Sequence, residues 1–123
     1  MLLDNETLFS DNQAITTGTI YSDNIVRFGE GEVDFLPLLV QVVVGFTKAE
    51  GLEVKVQTSE TEDFTNAVDL ASSELKLADL SEGARFPITR LPKGNKGYIR
   101  LAYIVSGDTA ETDGKITAGV VVE

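Results

Sequence analysis

The chain has 123 residues, with 20 acidic and 10 basic side chains and no histidine, for a formal net charge of -10 at pH 7. That length fits one domain, and a chain of this size can bury roughly two-thirds of its unfolded surface. Because cysteine and histidine are both absent, disulfide frameworks, thiolate or imidazole metal sites, cysteine nucleophiles and Ser-His-Asp arrangements are all excluded.

Hydrophobic residues make up 42% of the chain and prolines number 3, which is a globular composition, not that of a disordered tail. With a pI near 4.3, the molecule repels phosphate backbones and anionic lipid, so neither nucleic acid nor membrane is an expected partner. The start, Met1-Leu2-Leu3-Asp4-Asn5-Glu6, is acidic where a secretory signal carries lysine or arginine. The most apolar window, residues 35–46, is too short to span a bilayer. A soluble protein that needs no oxidising compartment is the expectation.

Residues 1–19 differ in kind from the remainder. Leu2, Leu3, Leu8 and Phe9 are scattered among polar residues, and Ser10 with Gln13 has the spacing of a capping pair. The segment reads either as an N-terminal arm that reaches a neighbouring molecule or as a capped turn docked on the domain. Beyond it, alternation replaces helical periodicity. Residues 19–28 form a weak strand candidate, closed by Gly29-Glu30-Gly31.

In residues 38–46, Leu38, Val40, Val42, Val44 and Phe46 share one face, and Leu39, Gln41, Val43 and Gly45 the other. A half-exposed antiparallel strand is more polar on its outer side. Leu39 and Val43 therefore mark either a covered face or an apolar patch that pairs with a second subunit. Leu52, Val54 and Val56 then alternate with Glu53, Lys55 and Gln57. Residues 67–70, 75–77 and 85–89 are weaker candidates. Ile99, Leu101, Tyr103 and Val105 alternate with Tyr98, Arg100, Ala102 and Ile104; Ile116, Ala118, Val120 and Val122 alternate with Lys115, Thr117, Gly119 and Val121. Turn signals at Glu50-Gly51, Glu82-Gly83, Pro92-Lys93-Gly94-Asn95 and Asp113-Gly114 separate these runs. Seven or eight such strands predict an all-β, antiparallel β-sandwich, jelly-roll-like, over residues 20–123, preceded by the arm of residues 1–19.

No constellation for catalysis emerges. Glu30, Glu32 and Asp34, and Glu60, Glu62 and Asp63, offer carboxylates, yet no calcium-loop spacing is present, and solvated acidic loops are the stronger reading. A glycosidase needs opposed carboxylates in an aromatic cleft, and the chain has no tryptophan. Gly94-Asn95-Lys96-Gly97 lacks the ending of a phosphate loop. No enzyme activity, cofactor or metal is expected. The basic residues are more informative. Arg85, Arg90, Lys93, Lys96 and Arg100, half of all ten, fall in residues 83–107 without one acidic residue among them. They read either as partners for acidic neighbours or as a basic face that docks on an acidic protein.

Several segments together resemble the small capsid cement, or decoration, proteins of tailed double-stranded DNA phages. They are Leu8-Phe9-Ser10-Asp11-Asn12-Gln13-Ala14-Ile15-Thr16, Val54-Lys55-Val56-Gln57-Thr58-Ser59 with Asp63-Phe64, and Arg85-Phe86-Pro87-Ile88 with Leu91-Pro92-Lys93-Gly94. Tyr98-Ile99-Arg100-Leu101-Ala102-Tyr103, Val105-Ser106-Gly107 and Gly114-Lys115-Ile116-Thr117-Ala118-Gly119-Val120 follow in order. None is a catalytic signature. The resemblance implies a jelly-roll-like domain, made in the bacterial cytoplasm, that sits on the virion capsid exterior and bridges neighbouring major capsid subunits. It implies a homodimer, although a trimer fits the same residues. Arg85, Arg90, Lys93, Lys96 and Arg100, with Leu8 and Phe9, are the expected capsid contacts; Leu39 and Val43 are the expected self-association residues. The alternative is a small carbohydrate-binding β-sandwich, for which Tyr21, Phe64, Tyr98 and Tyr103 are the available rings.

Overall fold

A computed structural model describes residues 2–16, 18–107 and 113–122. Met1 and Thr17 of the segment read as an arm, residues 108–112, and Glu123 lie outside the described residues. Eight strands follow in order: β1 (Leu2–Ala14), β2 (Thr19–Tyr21), β3 (Val26–Arg27), β4 (Leu38–Val44), β5 (Gly51–Ser59), β6 (Val68–Lys76), β7 (Tyr98–Ser106) and β8 (Lys115–Val122). They form two antiparallel sheets. Sheet A has the order β1-β8-β4; sheet B has the order β2-β7-β5-β6, with β3 also paired to β7.

Residues 83–91 run along the free edge of β4. Gly83 and Phe86 donate backbone N–H groups to Val42 and Val40, and Leu38 donates to Thr89. The segment acts as an irregular fourth strand that covers this edge, a common protection against unwanted pairing. The first strand thus pairs with the last, and β2 and β3 with the penultimate. That nesting is the winding of a jelly roll.

The core follows from period-2 alternation. Leu52, Val54 and Val56 of β5 and Ile99, Leu101 and Tyr103 of β7 are wholly buried, packed in one cluster with Val40, Val42, Ile116 and Ala118 of sheet A. β5 and β7 stay in register from Gly51↔Ser106 to Ser59↔Tyr98 with no irregularity. Each residue on a strict alternation has one face it can occupy, so a one-residue slip would expose the whole set. At the end of sheet A, the Phe46 ring lies against Gly114, where an added Cβ would meet ring carbons. The Asp113-Gly114 turn therefore needs glycine for close packing.

Three expectations change. First, the segment read as an arm or docked turn is, over Leu2–Ala14, strand β1 of sheet A, paired with β8. The Ser10–Gln13 pair does form a contact, since Ser10 Oγ donates to Gln13 Oε1 at 2.6 Å, but across a kink in a strand, not over a helix start. Asn12 between them has φ 54°, a conformation asparagine tolerates. Second, Val44 turns outward and is 41% exposed, because an irregularity between Val42 and Val44 breaks the alternation. Third, the candidates at 67–70 and 75–77 merge into one strand, β6, over Val68–Lys76, with Leu77 opening a 3-10 turn, and its polar middle is held by pairing to β5.

Candidate functional site

Sheet B has a polar outer face on which Arg100 and Lys55 find partners within the molecule. Arg100 lies over the Tyr21 ring at 3.7 Å and the Phe64 ring at 4.2 Å, and its Nε donates to Gln57 Oε1. Lys55 pairs with Asp69 at 3.2 Å. The Gln57 amide donates to the same carboxylate, and these hydrogen bonds, with Lys55, hold Asp69 below the ordinary carboxylate range. In the loop after β5, Asp63 accepts from the Thr61 hydroxyl and from the Thr65 backbone and hydroxyl, which lowers its pKa to about 2. Phe64 beside it adopts φ 55°, an uncommon backbone for a bulky residue, and its buried ring is held against Arg100.

Sheet A is built differently. Ile116, Ala118 and Val120 point inward, so Lys115, Thr117, Gly119 and Val121 face out. Leu39 and Leu8 stand on either side of Gly119 in register. The Leu8 side chain lies over Gly119, where a Cβ would come within 3.0 Å of it. Leu8, Leu39, Val43 and Val121 thus make an apolar strip on the outer face, half-buried or at the edge of burial. Phe35, 65% exposed, lies two residues before Pro37 and three before the start of β4. Alternation singles out neither Phe35 nor Val121, because it marks inward faces and says nothing of what an outward residue sits beside.

A buried polar chain ties β1 to sheet B. The Tyr103 hydroxyl lies 2.7 Å from Ser10 Oγ. Ser10 spends its one proton on Gln13 Oε1, so Tyr103 is the donor. Gln13 Oε1 also accepts from the Asp23 backbone, and Gln13 Nε2 donates to Tyr21 O. Burial pushes the Tyr103 phenol far above its ordinary pKa. It remains neutral and structural.

The expected contact residues do not share one face. Arg85 and Arg90 lie beside β4, opposite Gln41 and Pro37. The Lys93–Lys96 loop is pinned to the acidic segment before β4, with Gly94 N–H donating to Glu32 and Asn95 donating to the Gly29 and Gly31 carbonyls. Lys96 lines a cleft of about 410 Å³ together with Arg27, Glu30 and Glu60, a balanced set of charges. Arg100 is on the opposite sheet, engaged by aromatic rings. Phe9 is wholly buried and is a core residue, not a contact. Only Arg85 and Arg90 therefore accompany Leu8, Leu39 and Val43 on the sheet A side. Of the rings named for sugar binding, Tyr103 and Phe64 are buried, Tyr98 is half-buried beside the Lys96 cleft, and Tyr21, 46% exposed, stacks with Arg100. Glu60, Glu62 and Asp63 do not converge, and among the described residues no three acidic groups are placed to share a cation. Among the described residues no helix is long and apolar enough to cross a membrane.

No curated protein matches the sequence. The Bbp16 family model matches residues 9–120, from the buried Phe9 of β1 to the buried Val120 of β8. The match spans both sheets and nearly the whole chain, and the protein belongs to the Bbp16 family.

Proposed function

We propose that this protein is a capsid cement protein, which binds the outer shell of a tailed-phage capsid and bridges neighbouring major capsid subunits without catalysis or cofactor. The observation that carries the reading is the outer face of sheet A. It carries half-buried Leu8 and Val43 and the largely buried Leu39 and Val121 beside the exposed Arg85, in a molecule of net charge -10. Apolar area supplies affinity, and the local cation sets register against an acidic shell. Each copy needs to add only modest binding free energy, because occupancy of the expanded shell stabilises it by mass action at every repeated site. The remaining surface charge keeps free copies apart before docking. Pairing of two copies at the Val43 end of β4 fits bridging, since it leaves the Leu39, Val121 and Arg85 end of the face to the shell, and a symmetric pair presents two identical contacts to a two-fold position.

The test is sedimentation of the purified protein with undecorated expanded capsids. Saturable co-sedimentation is expected, weakened when Arg85 and Arg90 are both changed to glutamate and unchanged when Lys55 is changed to glutamine. Protein that stays in the supernatant at every concentration overturns the reading.

A further inference from the structure

The pairing between β4 and residues 83–91 slips by one residue. Gln41 stands opposite Arg85 but Pro37 stands opposite Arg90, so five steps of the segment run against four of β4. The surplus falls between the bonds from Phe86 N–H to Val40 O and from Leu38 N–H to Thr89 O. Pro87 sits there, with no N–H to leave unpaired. The bulge holds the segment off the edge and a cavity of about 190 Å³ opens beside it, lined by Pro37, Leu39, Arg85, Phe86, Thr89 and Val121 among others.

Arg85 is the one charged residue in that lining. Its guanidinium makes no hydrogen bond or ion pair with any described residue, in contrast to Arg100 on the other sheet. Size and charge together define what fits. An apolar cavity of about 150 Å³ accommodates a benzene ring, whereas small-molecule and cofactor sites run to about 300–1,000 Å³. The space therefore suits one large apolar side chain. An exposed, unpaired guanidinium at its rim suits a carboxylate, which it can bind through two parallel N–H groups.

We propose that this cavity receives one leucine- or phenylalanine-sized side chain from an extended segment of the shell protein, with an adjacent aspartate or glutamate of that segment held by Arg85. The proposal rests on the reading of sheet A as the docking face, and it names the chemistry of the docked segment. The bulge at Pro87 is then the feature that shapes the socket, and Leu39 and Val121 form the wall nearest the apolar strip.

The test titrates isotope-labelled protein with N-acetyl-Leu-Asp amide and with N-acetyl-Leu-Asn amide, followed by amide chemical shifts. The aspartate dipeptide should shift Leu39, Phe86, Thr89 and Val121. The asparagine dipeptide should bind about fivefold more weakly, the size expected for one rim ion pair. Arg85→Gln should abolish that preference, and Thr89→Phe, at an exposed lining position, should fill the socket and abolish binding of both. Equal binding of the two dipeptides, shifts that survive Thr89→Phe, or no shifts at tens of millimolar overturns the socket. This arm needs no capsid. If the parent and both variants sediment equally with capsids and the dipeptides give no shifts, the socket fails and the docking reading stands. A protein that binds the aspartate dipeptide through Arg85 but never sediments with capsids keeps the socket and loses the docking reading.

Discussion

On the outer face of sheet B, Arg100 lies between Tyr21 and Phe64, and Lys55 reaches Asp69. On the outer face of sheet A, Leu8 and Leu39 flank Gly119, with Val43 and Val121 on the same face, and Arg85 has no partner among the described residues. The same residue types are thus used in opposite ways. A guanidinium stacked on two rings gives up its freedom to other molecules and stabilises its own sheet. A guanidinium left unpaired beside apolar surface adds nothing to the fold and is available for recognition. The contrast extends to regularity. β5 and β7 pair without interruption over nine residues, whereas β1 meets β8 through three register shifts. Sheet B has one register shift, between β5 and β6, whereas both pairings of sheet A carry shifts that shape its surface.

The largest effect tests whether β1 belongs to the fold or hangs from it. Phe9 is wholly buried, so Phe9→Ala should cost about 3–5 kcal/mol. Truncation through Phe9 should abolish cooperative thermal unfolding as followed by circular dichroism. A truncated chain that melts like the parent would mean that sheet A stands without this strand. Next is the link between the halves. Tyr103→Phe removes the donor to Ser10 and leaves a buried hydroxyl oxygen short of a partner, at about 1–3 kcal/mol in urea unfolding.

Self-association sharpens the contrast between faces. Analytical ultracentrifugation at micromolar concentration should show a dimer, and Val43→Lys should weaken it by about tenfold or more. Lys55→Ala on sheet B should leave it unchanged, and a dimer lost through Lys55 instead would place the contact on the wrong face. The two arginines give a smaller, paired test. Arg100→Ala should cost about 1 kcal/mol of stability through its two ring contacts, while Arg85→Ala should shift stability by less than about 0.5 kcal/mol. Equal losses would mean that the two arginines contribute alike to the fold.

The smallest effect depends on pH. The folded pKa of Asp63, about 2, lies below its ordinary value of 3.8. A depressed carboxylate stabilises the fold fully above its unfolded pKa, and that contribution is lost as pH falls from about 4 to about 2. The melting-temperature gap between the parent and Asp63→Asn should therefore be widest near pH 7 and should close by pH 2. A gap that is constant with pH would mean that Thr61 and Thr65 do not favour the ionised form.

Much of the strand framework was legible because burial on one face forces strict alternation. Leu52, Val54, Val56, Ile99, Leu101 and Tyr103 are all in the core as their spacing predicts. Leu8 and Phe9 show the limit. They are neighbours in a polar stretch, yet one lies on the outer face over Gly119 and the other is fully buried. Successive side chains of a strand point to opposite faces, so their separation follows once this polar stretch pairs with β8 as a strand, which its composition does not announce. The five basic residues of 83–107 likewise form one cluster along the chain but part company in space.

The sequence by itself determined the all-β class, the inward faces of β5, β7 and β8, and the absence of cysteine and histidine chemistry, because composition and period-2 spacing are local properties. The tertiary structure alone decided that the first strand closes a sheet, that Arg100 is clamped while Arg85 has no partner among the described residues, and that a cavity opens beside Pro87. Each depends on which distant segments meet and on where a register slips by one residue. Pairing across some hundred positions, as between β1 and β8, is set by the joint burial of both faces, and no window along the chain contains it.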